Sequence, residues 1–163
     1  MIVYRESLEG IEPAHLKGFF VGWANPPRPE AHLRLLRGSD RVVLAWDEEA
    51  GRVVGFICAL TDGVLNAYVP QLEVLPDWQG RGIGSELTRR MLARLGGLYA
   101  VDLLCDPSLD PFYARFEMLS ASGMMLRRYA VQSGARPPDA AGAASGQKQS
   151  IWRRLLGLFG KRV

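Results

Sequence analysis

The chain has little cysteine and little histidine: two of each in 163 residues. Cys58 and Cys105 lie in apolar, strand-like runs, so both are expected to be small core residues of a reducing compartment, not a disulfide. No Cys/His cluster has metal-ligand spacing, and no metal is expected. His15 and His32 stand singly on helical segments, and neither is assigned a role. No uninterrupted apolar run approaches the ~20 residues of a membrane span, and residues 1–10 carry no charged-then-apolar leader. The expected location is therefore cytoplasmic. Most of the chain also lacks an excess of positive charge. Residues 1–135 hold 14 Lys/Arg against 16 Asp/Glu, whereas residues 136–163 hold 6 against one. The net charge of +3 comes from the tail, so no nucleic-acid partner is expected for the core.

What is present is ordinary globular material, with 48% hydrophobic and 23% charged residues. One domain is expected over 1–132. Residues 2–7 have a strand's mixed period, and Pro13 opens a short helical face through Leu16, Phe19 and Phe20 that ends near Gly22. Prolines 26, 27 and 29 stiffen the next loop, and 30–37 resumes a helix with Leu33 and Leu36 inward. Two strands, 42–47 and 52–61, flank a Glu48–Gly51 turn. The second is apolar on both faces and is expected at the centre of a sheet. A third strand spans 65–75, with a bulge expected at Pro70. A strand at 99–105, a helix at 111–118 and a last strand at 124–129 complete the pattern. Trp23 and Trp46 are read as core packing, ahead of an acceptor pocket.

The stretch LEVLPDWQGRGIGSELTRRMLARL, 72–95, carries the chemistry. A strand ends at Pro76, a glycine loop follows, and Ile83, Leu87, Met91 and Leu95 then recur every four residues. The first amides of a helix lack intrahelical partners and carry partial positive charge. Glycines at 80, 82 and 84 remove the Cβ atoms that would keep a ligand off those amides, and Arg81 adds a full charge. The result is a cradle for phosphate or pyrophosphate. No Lys-Ser/Thr follows, so the loop is not a P-loop, and the dinucleotide fingerprint lacks its third glycine after Gly80 and Gly82.

A third pattern, Q/R-x-x-G-x-G/A, is filled by Gln79, Gly82 and Gly84. With Leu72-x-Val74-x-Pro76 before it and Phe112-Tyr113 after it, the chain resembles the GNAT superfamily of acetyl-CoA-dependent N-acyltransferases over roughly residues 2–129. The resemblance implies an α+β fold, a mixed, mostly antiparallel sheet flanked by helices. It implies acetyl transfer to a primary amine by direct attack in a ternary complex. It also implies a coenzyme-contacting set of Val74, Leu75, Gln79, Gly80, Arg81, Gly82, Ile83, Gly84, Ser85 and Asp106. Tyr113 matches the family's general acid, and Glu73 is the candidate base, with Tyr68, Glu30 or a water chain as alternatives. Asp106 stands where relatives often carry Asn, and Glu117-Met118 stands where they carry Gly-Phe.

Residues 133–150, rich in Ala, Gly, Ser and Pro, read as a flexible linker. Residues 151–163, IWRRLLGLFGKRV, read as a basic amphipathic helix. Contact with the inner membrane face or a protein partner is preferred there to folding back on the domain. A homodimer is left open, as are a non-catalytic acyl-CoA sensor and a membrane-recruited adaptor. The acceptor is expected to be a small-molecule or peptide amine.

Overall fold

The computed structural model describes residues 1–134. The expected helix of 151–163 and all but the first two residues of the expected linker lie outside them. Five strands form one sheet in chain order: β1 (Ile2–Arg5), β2 (Arg41–Asp47), β3 (Arg52–Thr61), β4 (Asn66–Val74) and β5 (Ala100–Asp102). The first four pair antiparallel, and β5 joins β4 in parallel. This is the mixed, mostly antiparallel α+β sheet anticipated above.

Alternation builds two cores, one on each face. Val42, Leu44, Phe56 and Cys58 face Leu16, Phe19, Phe20 and helix α1 (Pro29–Arg37). Val43, Ala45, Ile57 and Ala59 face helix α2 (Ile83–Leu95). A strand buried on both sides reads as a continuous apolar run, hence VVGFICAL. The four-residue period of α2 holds, since Ile83, Leu87, Met91 and Leu95 are all buried. Each such side chain contributes about 1.5–3 kcal/mol of transfer free energy.

Where β4 and β5 meet, the sheet opens. Their pairing runs only from Asn66↔Ala100 to Tyr68↔Asp102. Beyond it β4 continues to Val74 against β3 alone. The register with β3 shifts between Cys58↔Gln71 and Leu60↔Tyr68, so Val69 and Pro70 together oppose Ala59. Proline has no N–H to give the ladder, and a bulge bends the strand that carries it. The expected bulge therefore sits where β4 parts from β5.

Several elements are shorter than the sequence pattern suggests. The helical face after Pro13 is a single 3-10 turn, Pro13–Leu16, and Phe20 adopts φ 64°. The apolar run 99–105 yields only three strand residues, none buried, because Asp102 and Tyr99 stay exposed and the pairing with β4 stops there. Cys58 is buried as expected, while Cys105 is only half-buried. Helix α3 covers Asp110–Ala114 and ends in a turn through Glu117, at φ 61°. The expected last strand at 124–129 is not formed. Met124, Met125 and Leu126 are exposed, and residues 121–128 join no ladder.

His32 is not the helix-surface residue that a lone histidine usually is. It is 1% exposed, packed edge-on by Phe19 and Phe20 and tilted against Phe56. Burial lowers its pKa from 6.5 to about 4, and the nearby Leu16 carbonyl offsets only part of this. Neither ring nitrogen has a partner at hydrogen-bonding geometry.

The unfolded chain takes up this proton near pH 6.5, the folded protein only near pH 4. Stability is therefore full above about 6.5 and falls as pH drops toward 4, by roughly 3 kcal/mol in all. Denaturant titrations across this range should show that slope, and His32→Leu should flatten it. Gly55 on β3 supplies a second prediction. A Cβ there would meet Leu87 Cδ1 at 3.1 Å, Ile83 Cγ2 at 3.2 Å and Val74 Cγ2 at 3.3 Å. All three belong to the packed core beneath α2, so Gly55→Val should cost about 1–3 kcal/mol in urea denaturation.

Candidate active site

The site starts from the closeness that Gly55 permits. With no side chain on β3 at that point, the first turn of α2 lies directly on the sheet beside Val74. The approach to it is a 3-10 turn, Pro76–Trp78, and then Gln79–Gly82. Gly80 and Gly82 take φ +73° and +78°, and nothing lies within 4 Å of where either Cβ would project. A side chain at Gly82 would be strained and would stand in open space at the helix start. Gly82 is the N-cap of α2, and no side chain caps it. The first intrahelical bond runs from Glu86 N–H to the Gly82 carbonyl at 3.0 Å. The amides that precede it point outward at the positive end of the helix.

These amides open onto a cavity of about 620 Å³. One wall is Leu72 and Val74 of β4, another the glycine loop, and a third is α3 with Phe112, Tyr113 and the following Arg115. The geometry of β4 is informative here. Leu75 donates its N–H to the Val54 carbonyl on the β3 side at 2.9 Å. Alternation therefore turns the N–H and C=O of Val74 toward the open edge left by β5. Gln79 Nε2 donates to that Val74 carbonyl at 2.9 Å, tying the loop to the strand end.

Tyr113 lines the cavity and stacks edge-on with Phe112, the ring centroids 4.9 Å apart. Burial is the main cause that pushes its phenol up to about 12, with Cys105 adding to it. The group stays protonated across the neutral range.

Glu73 lies on the other side of the sheet. Its neighbours Leu72 and Val74 face α2, so alternation turns Glu73 toward the loop after Pro13–Leu16. Both of its oxygens accept backbone N–H groups there, from Phe20 at 2.8 Å and from Val21 at 3.1 Å. Phe20 is the residue at positive φ, a conformation that costs a non-glycine residue of order 1–3 kcal/mol and persists only when its surroundings enforce it. The Glu73 carboxylate is one such enforcing contact, and burial of the Phe20 ring is another.

Of the residues expected to meet the coenzyme, Val74, Gln79, Gly80, Gly82, Ile83, Gly84 and Ser85 line the cavity together with Tyr113. Leu75, Arg81 and Asp106 do not. Leu75 is buried at the strand end. The Arg81 guanidinium is turned back onto the Asp77 carbonyl at 2.7 Å. Asp106 is exposed and caps the 3-10 turn Pro107–Leu109, its carbonyl accepting from Leu109 N–H at 2.8 Å. Of the alternative bases, Glu30 is exposed in the first turn of α1, and Tyr68 sits where the β4–β5 pairing ends.

Three residues that line the cavity, Trp78, Leu109 and Arg115, were not singled out by reasoning from the sequence. Arg115 is the one charged side chain among the described residues that line it. Its guanidinium lies 4.9 Å from the Phe112 ring centroid and 5.9 Å from that of Phe116. It donates through Nε to the Phe112 carbonyl at 3.3 Å and through a terminal nitrogen to Ser85 Oγ at 3.2 Å. The available signal was FYARF, an arginine between aromatic residues just after the candidate acid.

Comparison with known proteins bears on this arrangement at two levels. Residues 8–118 match the model of the acetyltransferase (GNAT) family. A curated rice protein, serotonin N-acetyltransferase 2, chloroplastic, is 34% identical over 116 residues, covering 67% of this chain and 57% of the rice protein. The chain spans just over half the length of such curated relatives, 57% for rice. Among solved structures, a putative acetyltransferase from Deinococcus radiodurans R1 superposes with a TM-score of 0.80 at 49% identity, covering 83% of this chain and 94% of that one. A GNAT family acetyltransferase from Streptococcus pneumoniae TIGR4 gives 0.62 at 29% identity, covering 78% of this chain and 98% of its own. The splayed strands, the uncapped glycine loop and the family match over most of the described residues lead to one conclusion: the chain belongs to the GNAT acetyltransferase family.

Proposed function

We propose that the protein transfers an acetyl group from acetyl-CoA to a primary amine, by direct attack within a ternary complex. The observation that carries this is the uncapped start of α2, with Gly80 and Gly82 at positive φ, opening onto the cavity that Tyr113 lines. The cavity's volume falls within the range usual for small-molecule sites.

When bound, acetyl-CoA supplies the acetyl thioester. The residues of the chain divide the remaining work. The amides of Arg81, Gly82, Gly84 and Ser85 receive the diphosphate at the helix start. The open edge of β4 would hold the pantetheine arm like an added strand, and the Val74 N–H, turned to that edge, would stabilise negative charge as it develops on the thioester oxygen. Tyr113, kept protonated by burial, donates a proton to the departing sulfur. The amine approaches from the other face, past the loop holding Phe20 and Trp23, and Glu73 takes its proton. A carboxylate has about four lone-pair sites, and two are engaged by Phe20 and Val21, so acceptor capacity remains.

The same engagement of Glu73 favours a second reading, a coenzyme-binding module with little turnover. Thiol release from acetyl-CoA separates the two across an amine panel headed by serotonin, the amine named for the rice relative. Amine-dependent release supports the enzyme; tight coenzyme binding without release supports the module. Exposed Trp23, packed edge-on against Phe20, makes aromatic amines the first choice.

Tyr113→Phe should lower kcat by about 10²-fold or more with KM little changed, the usual size of a general-acid contribution. Because the phenol titrates only at about 12, the wild-type pH–rate profile between pH 6 and 10 should carry no limb from Tyr113. The variant should lower that profile without changing its shape. An unchanged kcat in Tyr113→Phe would assign the proton to another group, and a limb lost with the phenol would overturn its high pKa.

A further inference from the structure

We propose that Arg115 is the positively charged ligand of the coenzyme's diphosphate, and that it makes the site selective for carriers bearing that group. The inference rests on the acetyl-CoA reading above and adds a residue that the glycine-loop pattern does not contain.

The amides at the start of α2 supply partial charge, but a diphosphate carries two full negative charges, and the loop's own arginine is directed elsewhere. Arg81 is exposed, does not line the cavity, and bonds back to the Asp77 carbonyl at 2.7 Å. Arg115 directly follows α3, on the opposite wall, and reaches Ser85 Oγ at 3.2 Å. Ser85 is the third residue of α2, so the guanidinium stands beside the first-turn amides. Among the described residues no carboxylate forms an ion pair with it.

The way Arg115 is held also suits an anion. Contacts with the Phe112 and Phe116 rings restrain its plane, and the Nε bond to the Phe112 carbonyl at 3.3 Å fixes the stem. A guanidinium has five N–H donors, and these two hydrogen bonds use two, leaving three in a planar fork. Restraint before binding reduces the side-chain entropy lost on binding, and a planar fork matches two phosphate oxygens better than a lysine point charge does. Arg115 lies two residues beyond Tyr113, so a diphosphate held there is anchored to the same turn that carries the proposed acid.

The experiment measures Kd for CoA, and kcat and KM with acetyl-CoA and with acetyl-pantetheine, which lacks the diphosphate. Wild type, Arg115→Ala, Arg115→Lys and Arg81→Ala are compared. Arg89→Ala, on the outer face of α2 and paired with Glu86, controls for loss of one positive charge. Arg115→Ala should weaken CoA binding at least tenfold and lower kcat/KM for acetyl-CoA by a similar factor, while leaving kcat/KM for acetyl-pantetheine within twofold. Arg115→Lys should fall between, and Arg81→Ala should lose less than Arg115→Ala. A merely structural role would lower both substrates together, and that result overturns the proposal, as does unchanged CoA affinity in Arg115→Ala. If wild type transfers acetyl normally while Arg115→Ala is indistinguishable from it, this inference alone fails. If wild type shows no affinity for CoA, the acetyl-CoA reading fails with it.

Discussion

Everything about the site depends on how close one helix start can come to one strand. Helix α2 buries Ile83, Leu87, Met91 and Leu95 against the sheet, and the packing at its first turn is permitted by Gly55 on central β3. Any side chain there would have to share space with Leu87, Ile83 and Val74, all within 3.3 Å of its Cβ. The helix start is thereby held beside the last residues of β4, at the point where β5 has already left. Apolar packing thus sets the position of a set of polar amides, and the amides gain their direction from it.

The second constraint is the pairwise failure of the sheet. A continuous ladder between β4 and β5 would satisfy the outward groups of Leu72 and Val74 and leave no room for a ligand arm. The bulge at Val69 and Pro70 bends β4 just past its last pair with β5. Proline suits that position because it asks nothing of the missing partner. A residue that weakens a strand elsewhere here helps to keep an edge open.

Much of this was legible in the primary structure because it depends on short-range pattern. The four-residue period of α2, the double-faced apolar run of β3, the proline bulge and the glycine loop are all local signals, and all four elements are present. What escaped depends on distant partners. Glu73 meets Phe20 and Val21 more than fifty residues away. His32 has the sequence context of a helix surface, yet the aromatic residues of two other segments, Phe19 and Phe20 in one and Phe56 in the other, enclose it. Arg115 gains its place by reaching Ser85 across thirty residues, whereas Arg81, inside the motif itself, is held off by its own loop carbonyl. The run at 124–129 has a strand's composition, but a strand also requires an accepting edge. With β5 ending at Asp102, the segment joins no ladder.

Adjacent residues of a strand point to opposite faces, and that rule shapes the proposed chemistry. Val74 faces the cavity with α2, while Glu73 faces the loop of Phe20 and Val21. Two reactants approaching from the two faces would meet at the edge of one strand, with neighbouring residues of the chain serving each. In the proposed mechanism such an arrangement would separate the two proton transfers in space, with Tyr113 on the coenzyme side and Glu73 on the acceptor side. The same mechanism would make the loop of Phe20 and Val21 part of the catalytic arrangement, because the carboxylate proposed to take the amine's proton is the one that holds the loop's strained turn. Change in that loop would then alter acceptor choice and base geometry together, while the coenzyme side, built from α2 and α3, would be left as it is.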